Sequence, residues 1–274
     1  MTYRALIDEG KRIIDSEESA IEASLLLEHV LHVDRNELYI HPDREVSEND
    51  KKEYLNLVNR RILGEPIQYI IGEAPFYGLD FTVNPSVLIP RFDTEVLVEE
   101  VLKVIKDGDK VLDLCTGSGC IAVTIKKNKS SADVYASDIS DDALKVAKIN
   151  ADKHGVSITF IKSDLLENIE AGYDIIVSNP PYIKTSVIDG LDDIVKNHEP
   201  YIALNGGTDG LDFYKRIVAD AKKCLKLQGR LIMEIGYDQG EDLRNLLKEA
   251  GYSDIKIIKD LSGNDRVAMA VFGG

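Results

Sequence analysis

The chain has 274 residues, of which 44% are apolar and 30% charged, as is typical of a soluble globular protein of one or two domains. Its net charge of −15 argues against a protein that neutralises many nucleic-acid phosphates and favours a protein or small-molecule partner. Its apolar runs are shorter than the roughly 18 residues of a membrane-spanning helix, which argues against a membrane protein.

The start of the chain and its cysteines indicate a cytoplasmic protein. Residues 1–15 contain acidic residues and no uninterrupted apolar stretch, so a secretory signal peptide is not expected. The three cysteines, Cys115, Cys120 and Cys224, are odd in number and lack the paired spacing of a metal site. This usage predicts reduced thiols and no bound metal.

The first 65 residues are predicted to form a small helical domain. The clearest helix is Asn49–Leu63, in which apolar residues recur at helical spacing. Ser47 and Asp50 resemble a capping box at its start, and Gly64 is a typical helix terminator.

Residues 66–90 are predicted to form a β-hairpin linker, because glycine, proline and aromatic residues replace the helical pattern there. Within this stretch, residues 76–83 alternate as a hairpin does and should turn near Gly78. A helix is expected to follow the linker, with Asp93 or Thr94 as its N-terminal cap.

Strand and helix patterns alternate over the rest of the chain and indicate a doubly wound, mostly parallel α/β sheet. Seven strands are predicted, at residues 110–114, 134–137, 158–161, 173–177, 230–235, 255–258 and 266–272. Helices are predicted at residues 120–127, 141–154, 213–225 and 243–250. The link between the last two strands is too short for a helical crossover, so the seventh strand should run antiparallel.

A loop with two glycines joins the first of these strands to the following helix. Glycine at such a turn permits a tight bend and a close approach of the backbone to a ligand. The loop lacks the Lys-Ser/Thr pair of a P-loop and the full dinucleotide fingerprint, which disfavours ATP hydrolysis and dehydrogenase chemistry. Its candidate cofactor-binding residues are Cys115, Thr116, Gly117, Ser118 and Gly119.

An aspartate ends each of the next two strands. Asp138, 25 residues after Asp113, stands where a carboxylate can accept both hydroxyl hydrogens of a ribose. Asp164 can contact an adenine amino group, with Leu165 packing on the ring. Taken singly, each aspartate is equally consistent with helix capping or a solvated loop.

The fourth strand ends in the sequence Ser-Asn-Pro-Pro-Tyr at residues 178–182. The side-chain oxygen of Asn179 and the carbonyl oxygen of Pro180 are acceptors, and Tyr182 offers a flat face to a planar group. Together they are suited to hold a planar NH2 group by both hydrogens, although a rigid turn is the alternative. Because parallel strands end at one edge of a sheet, this motif should meet the glycine loop and the two aspartates there.

This combination resembles the S-adenosylmethionine-dependent methyltransferases of the seven-stranded class, which have a Rossmann-like sheet with an antiparallel last strand. Within that class the chain resembles the PrmC/HemK family, the N5-glutamine methyltransferases of bacterial peptide chain release factors. The motifs that carry the resemblance are RILGEPIQYI at residues 61–70, LIPRFDTE at 88–95, SNPPY at 178–182 and NDR at 264–266. Two positions depart from the family pattern: Phe92 stands where proline is common, and Cys115 where glycine is common.

The resemblance implies methyl transfer to the side-chain amide nitrogen of the glutamine in the Gly-Gly-Gln motif of release factors, which modulates translation termination. The implied substrate-binding residues are Asn179 and Pro180, as acceptors of the amide hydrogens, with Pro181, Tyr182 and Leu88 beside the amide plane. The implied cofactor-binding residues are those of the loop 115–119, with Asp138, Asp164, Leu165 and Asn179. Residues 1–65 would bind the release factor, and residues 91–274 would form the methyltransferase domain.

Two other functions fit parts of the pattern. The Asn-Pro-Pro-Tyr sequence can hold the exocyclic NH2 group of adenine or guanine, but enzymes that modify nucleic acids usually need a cationic track. A non-enzymatic binding module would keep the fold without methyl transfer. We therefore expect a monomeric enzyme that acts on a protein, without direct binding to nucleic acid or membranes.

Overall fold

The computed structural model describes residues 1–273, which form two compact units. The first unit consists of Met1–Glu73 together with Asp192–His198, and the second of Ala74–Leu191 together with the chain from Glu199 onward. In the described range the chain has no helix that combines the length and the apolar character needed to cross a membrane.

The secondary structure of the described residues comprises thirteen helices and nine strands. The helices are α1 Tyr3–Ile13, α2 Ser19–Leu31, α3 Arg35–Ile40, α4 Glu48–Ile62, α5 Ile67–Ile71, α6 Thr94–Val104, α7 Cys120–Asn128, α8 Asp141–His154, α9 Thr185–Ile188, α10 Asp193–His198, α11 Tyr201–Leu204, α12 Asp212–Cys224 and α13 Gly240–Glu249. The strands are β1 Glu73–Phe76, β2 Leu79–Thr82, β3 Lys110–Leu114, β4 Asp133–Asp138, β5 Thr159–Lys162, β6 Tyr173–Ser178, β7 Leu225–Glu234, β8 Tyr252–Lys259 and β9 Asp265–Phe272.

The first unit is a bundle of short helices around its own apolar core. Leu6 of α1, Leu26 of α2 and Tyr54 of α4 are fully buried in this core. The Tyr54 hydroxyl donates to the Leu6 carbonyl oxygen at 3.1 Å, so α1 and α4 are joined by a buried hydrogen bond as well as by packing. Ser47 caps α4 by accepting from the Asp50 N–H at 3.2 Å, which confirms the predicted start of this helix.

The predicted hairpin is formed by β1 and β2, which pair as a two-stranded sheet. Tyr77 and Gly78 connect them with φ angles of +50° and +73°. Positive φ at both central residues is the signature of a tight hairpin turn whose twist matches that of the strands. Earlier in the same stretch, residues 67–71 form the short helix α5.

The second unit is built on one seven-stranded sheet with the order β5-β4-β3-β6-β7-β9-β8. Strands β3 to β7 pair in parallel, whereas β9 runs antiparallel to both β7 and β8. The predicted α/β class and the antiparallel last strand are confirmed. The order reverses between β3 and β6, so the carboxyl ends of these two strands flank the crevice in which open α/β sheets bind ligands.

Both faces of this sheet are covered by helices. On one face, Val111 of β3 packs with the apolar sides of α6 and α7. On the other face, Leu112 and Leu114 pack with α12 and α13. Successive strand residues point to opposite faces, so a strand buried on both sides must be apolar at nearly every position. This explains the sequence Val-Leu-Asp-Leu in β3, where Asp113 is the single polar residue and is itself buried.

The start of α6 differs from the sequence prediction, because neither Asp93 nor Thr94 caps the helix with its side chain. Asp93 occupies the N-cap position but has helical backbone angles, φ −60° and ψ −31°, rather than the extended angles that side-chain capping requires. Its carboxylate instead pairs with Arg266 at 3.0 Å. Thr94 is buried, and its hydroxyl oxygen accepts from Asn179 Nδ2.

Candidate active site

One pocket lies at the carboxyl edge of the sheet, where β3, β4, β5 and β6 end. It brings together most of the residues that the sequence singled out: Leu88, Cys115, Thr116, Gly117, Ser118, Asp138, Asp164, Leu165, Asn179 and Pro181. Gly119, Pro180 and Tyr182 belong to the same loops but are not part of the pocket lining. The lining also includes residues that the sequence did not indicate as site residues, among them Thr94, Arg91, Ile139, Phe213 and Arg216.

The loop after β3 is held by Asp113, which lies beneath it with no exposed surface. One carboxylate oxygen of Asp113 accepts from the Thr116 hydroxyl at 2.6 Å and from the Ala122 N–H at 3.2 Å. Burial raises the pKa of Asp113 to about 7, because the surroundings cannot solvate its charge. Asp113 therefore ties the strand end, the loop and the first turn of α7 together.

Two backbone features of this loop bring it close to α8 and to the pocket. Gly119, at the N-cap of α7, has φ +80°, and a Cβ atom placed there would lie 2.9 Å from the Ala147 Cβ. Cys115 has φ +58°, a conformation that favours glycine and costs a residue with a side chain on the order of 1–2 kcal/mol. The departure from the family pattern at Cys115 thus falls on a strained position.

Asp138 is placed at the end of β4, where its carboxylate organises the loops around it. One oxygen accepts from the Gly117 N–H at 2.9 Å and the other from the Ser140 N–H at 2.9 Å. Burial raises the pKa of Asp138, and these N–H groups act in the opposite direction by stabilising the charge. Each carboxylate oxygen has two lone pairs, so both oxygens retain capacity to accept a hydroxyl group.

Asp164 has a partner that was not predicted from the sequence. One of its oxygens lies 2.9 Å from the guanidinium of Arg216, which projects from α12 and also lines the pocket. The next residue, Leu165, is largely buried and packs into the core below. The end of β5 therefore presents a carboxylate that is already paired on one side, next to an apolar surface.

Asn179 is oriented by a hydrogen bond from its own amide group. Its Nδ2 donates to Thr94 Oγ1 at 3.2 Å, which leaves the side-chain oxygen as the atom available to another donor. The preceding residue, Ser178, donates from its hydroxyl to the Leu114 carbonyl at 2.9 Å. This bond fastens the end of β6 to the end of β3, next to the glycine loop.

Tyr182 is anchored by its hydroxyl group and is not itself part of the pocket lining. Its hydroxyl donates to Glu234 Oε1 at 3.3 Å, and burial raises its pKa far above the usual range. Glu234 ends β7 and is itself 2% exposed. Burial raises the pKa of Glu234 to about 7, whereas Thr94, Arg266 and Tyr182 lower it by hydrogen bonding and charge.

Arg91 forms an ion pair with Glu199, whose side chain is only 1% exposed. Arg91 also lines the pocket, so this residue is part of the site rather than an isolated surface charge. Glu199 could not be predicted as the partner, because it lies 108 positions from Arg91, in a stretch of short helices without periodicity.

Two family models match the chain: one described as methyltransferase small domain over residues 91–206, and one described as PrmC N-terminal domain over residues 6–72. A release factor glutamine methyltransferase of Clostridium acetobutylicum is 45% identical over 262 residues, which cover 92% of this chain and 91% of that protein. A protein of the same name from Clostridium botulinum is 42% identical over 91% of each chain. The chain belongs to the release factor glutamine methyltransferase family.

Two solved structures show that this family's fold is also found in more distant methyltransferases. A methyltransferase from Pyrococcus furiosus matches with a TM-score of 0.55 and 22% identity, covering 80% of this chain and 98% of that one. The Mtq2–Trm112 complex of E. cuniculi, responsible for methylation of the eRF1 termination factor, matches with a TM-score of 0.50 and 22% identity. The match covers 68% of this chain and 99% of that one. The fold, and membership of an enzyme family that transfers methyl groups, are thus established for this chain.

Proposed function

We propose that this chain transfers a methyl group from S-adenosylmethionine to the side-chain amide nitrogen, N5, of the glutamine in the Gly-Gly-Gln motif of peptide chain release factors. The observation that carries the proposal is the orientation of Asn179. Its Nδ2 is engaged by Thr94, so its oxygen is the atom left to accept a hydrogen from a substrate NH2 group. Methylation at this position would modulate translation termination.

The chemistry of the pocket suits S-adenosylmethionine. Asp138 would accept the ribose hydroxyls with the lone pairs that Gly117 and Ser140 leave unused. The second oxygen of Asp164 would accept from the adenine amino group, with Leu165 packing on the ring. The loop of Cys115, Thr116, Gly117, Ser118 and Gly119 would follow the remainder of the cofactor, with Asn179 beside it. A Cβ atom at Gly117 would meet no heavy atom within 4 Å, so there is open space in front of this loop.

When bound, S-adenosylmethionine supplies an electrophilic methyl group on a positively charged sulfur. The nitrogen of an amide is a poor nucleophile because its lone pair is delocalised, so the contribution of the protein is mainly orientation. Asn179 Oδ1 and the Pro180 carbonyl would accept both amide hydrogens and so hold the nitrogen in line for attack. The same two acceptors favour the positive charge that develops on the nitrogen.

The sides of the amide plane would be covered by apolar groups. Leu88 and Pro181 line the pocket, and the ring of Tyr182, anchored by its hydroxyl on Glu234, would complete the cover. We assign no general base, since the methylated nitrogen can lose one of its own two hydrogens as a proton to water after the methyl group has arrived.

We also propose that the helical region 1–65 binds the release factor, that residues 66–90 act as a linker and that residues 91–274 carry catalysis. Two large side chains of the first unit, Tyr39 and Ile40, are about 70% exposed. The double variant Tyr39→Ser, Ile40→Ser should raise KM for the release factor and leave the affinity for S-adenosylmethionine unchanged. An unchanged KM would argue against this surface as the contact.

The test of the proposed reaction is the transfer of labelled methyl from S-adenosylmethionine to purified release factor. A release factor in which the glutamine of Gly-Gly-Gln is alanine is the matched control, and DNA and RNA are tested beside it. Label on the normal factor alone is the expected result. Label on nucleic acid would favour an amino methyltransferase of bases, which the acidic charge of the chain disfavours.

We propose that the enzyme acts as a monomer in the cytoplasm.

A further inference from the structure

Gln239 is a buried side chain that ties Tyr182 to two neighbouring loops. It stands at the N-cap position of α13 and is 3% exposed. Its Nε2 donates to the Tyr182 carbonyl at 3.2 Å and to the Gly210 carbonyl at 3.1 Å. Its Oε1 accepts from the Gly236 N–H at 2.8 Å. Both hydrogens of the amide group and its oxygen are therefore in use.

The partners of Gln239 allow only one orientation of its amide. A carbonyl oxygen can only accept and a backbone N–H can only donate, so the NH2 group must face the two carbonyls and the oxygen must face Gly236. The backbone of Gln239 is held as well, because its N–H donates to the Gly236 carbonyl at 3.0 Å. The side chain is thus a fixed link between the turn after β7 and the loop after β6.

The backbone of Tyr182 is also closely packed against two glycines in the loop between α11 and α12. A Cβ atom at Gly206 would lie 2.6 Å from the Tyr182 Cα, and one at Gly210 would lie 2.5 Å from the Tyr182 carbonyl oxygen. Only glycine permits so close an approach of two backbones. Tyr182 is therefore in direct contact with this loop, and Gln239 bonds to both sides of the contact.

We propose that Gln239 is a positioning residue, which holds Tyr182 so that its ring covers the side-chain amide of the substrate glutamine. The inference rests on the proposed function, which assigns the ring of Tyr182 to the substrate. Tyr182 is held at two points, since its hydroxyl donates to Glu234 at 3.3 Å and its carbonyl accepts from Gln239. The hydroxyl bond alone would let the residue pivot about the end of its ring. A displacement of about 1 Å from the productive geometry can cost on the order of 10²-fold in rate.

Gln239→Met tests this role, because it removes all three hydrogen bonds and keeps a flexible side chain of similar length. It should lower the single-turnover rate of methyl transfer to release factor about tenfold, the size expected for one hydrogen bond that aligns the reactants. Gln239→Glu is a milder second variant, which keeps the oxygen that faces Gly236 but has at most one hydrogen for two carbonyls. It should also be slower than the wild type. A wild-type rate in either folded variant would overturn the inference.

A matched control is available in β7. Gln228 also donates from its Nε2 to a carbonyl, that of Gly273, at 2.7 Å. It is exposed and lies in the first half of β7, toward the sheet edge opposite the pocket. Gln228→Met should therefore leave the rate unchanged.

Cofactor binding distinguishes Gln239 from a residue that merely supports the pocket. Tyr182, Gly210 and Gly236, the three partners of Gln239, are not part of the pocket lining. The affinity for S-adenosylmethionine, measured by calorimetry on variants shown to be folded by thermal unfolding, should therefore be unchanged in Gln239→Met. A loss of affinity as large as the loss of rate would overturn the positioning role.

A double-mutant cycle decides whether Gln239 acts through the ring of Tyr182. In a Tyr182→Ala background there is no ring to place, so Gln239→Met should cause no further loss of rate, although it should still lower the unfolding temperature. A purely structural role would instead lower the rate in both backgrounds. A full, additive loss of rate in Tyr182→Ala would overturn the inference.

A measurement without substrate separates this inference from the proposed reaction. The ring signals of Tyr182, assigned by their loss in Tyr182→Phe, are followed by NMR of protein with labelled tyrosine. They should be the same in the wild type and Gln228→Met, and shifted or broadened in Gln239→Met. Unchanged signals in Gln239→Met would overturn the positioning role. Failure of the wild type to methylate release factor, with the NMR result as expected, would overturn the proposed reaction alone.

Discussion

Gly119→Ala should destabilise the enzyme more than any other alanine substitution in the glycine loop. The added Cβ would lie 2.9 Å from the Ala147 Cβ and 3.1 Å from the Ala147 Cα, so either the loop or α8 must move. Overlap of this kind in a packed region typically costs about 1–3 kcal/mol. The φ angle of +80° adds about 1–2 kcal/mol for a residue with a side chain. We therefore expect a loss of about 2–5 kcal/mol in the free energy of unfolding.

Gly117→Ala is the matched comparison for this substitution. Gly117 lies two residues away in the same loop with φ +53°, but a Cβ atom there would meet nothing within 4 Å. Only the cost of a positive φ angle applies at Gly117, so the expected loss in the free energy of unfolding is about 1–2 kcal/mol. The contrast between the two variants isolates the close approach of Gly119 to Ala147 from the shared cost of positive φ.

Urea unfolding followed by circular dichroism gives both free energies, and equal slopes would show that the two variants unfold like the wild type. Calorimetry with S-adenosylmethionine adds a second readout, because a displaced loop should bind the cofactor more weakly in Gly119→Ala. If the two variants lose the same free energy within about 0.5 kcal/mol, the contact with Ala147 carries no cost and the reasoning fails.

Three further predictions concern the pocket. Asn179→Ala should lower methyl transfer about 10²-fold through lost alignment, with a smaller change in cofactor affinity; activity within about threefold would contradict this. Asp138→Ala should mainly weaken the binding of S-adenosylmethionine, and unchanged affinity by calorimetry would refute that role. Because the pKa of Asp113 is raised in the folded state to about 7, its stabilising contribution is lost as pH rises from about 4 through 7. The unfolding free energy of wild type relative to Asp113→Asn should fall over that range.

The sheet could be predicted well because its inner strands β3, β6 and β9 are buried at nearly every position and read as continuous apolar runs. The interpretation of residues 110–114 as a strand and 141–154 as a helix matches the structure residue for residue. The strand predicted at 230–235 is instead Leu225–Glu234; residues 226–228 in its first half are exposed, so this half lacks the continuous buried apolar run of its second half. The short helices α9, α10 and α11 have four to six residues, too few for a periodicity to be recognised.

The pocket was predictable to the extent that its residues follow strands directly. Because parallel strands end at the same edge of the sheet, the glycine loop, Asp138, Asp164 and Asn179 can be placed together there without knowing how the helices pack. Arg216 and Thr94 reach the same pocket from helices, at positions where polar residues are common on a helix surface. Whether Arg216 and Thr94 line the pocket depends on which face of each helix is turned toward it. Tertiary packing decides this, and no local sequence pattern does.

Tyr182 and Glu234 illustrate why the role of a side chain can depend on strand register. An aromatic residue after two prolines suggests a stacking face, and nothing nearby suggests a partner for its hydroxyl. Glu234 lies 52 residues later, but Ser178 of β6 is paired with Met233 of β7, so the register brings Glu234 next to the motif. A carboxylate buried there must find hydrogen-bond donors, because an unpaired charge in the interior is costly. Tyr182 supplies a donor to Oε1, whereas Oε2 of Glu234 has no hydrogen-bond partner among the described residues, so the tyrosine of the motif is tied to a buried carboxylate that only the strand register brings near it.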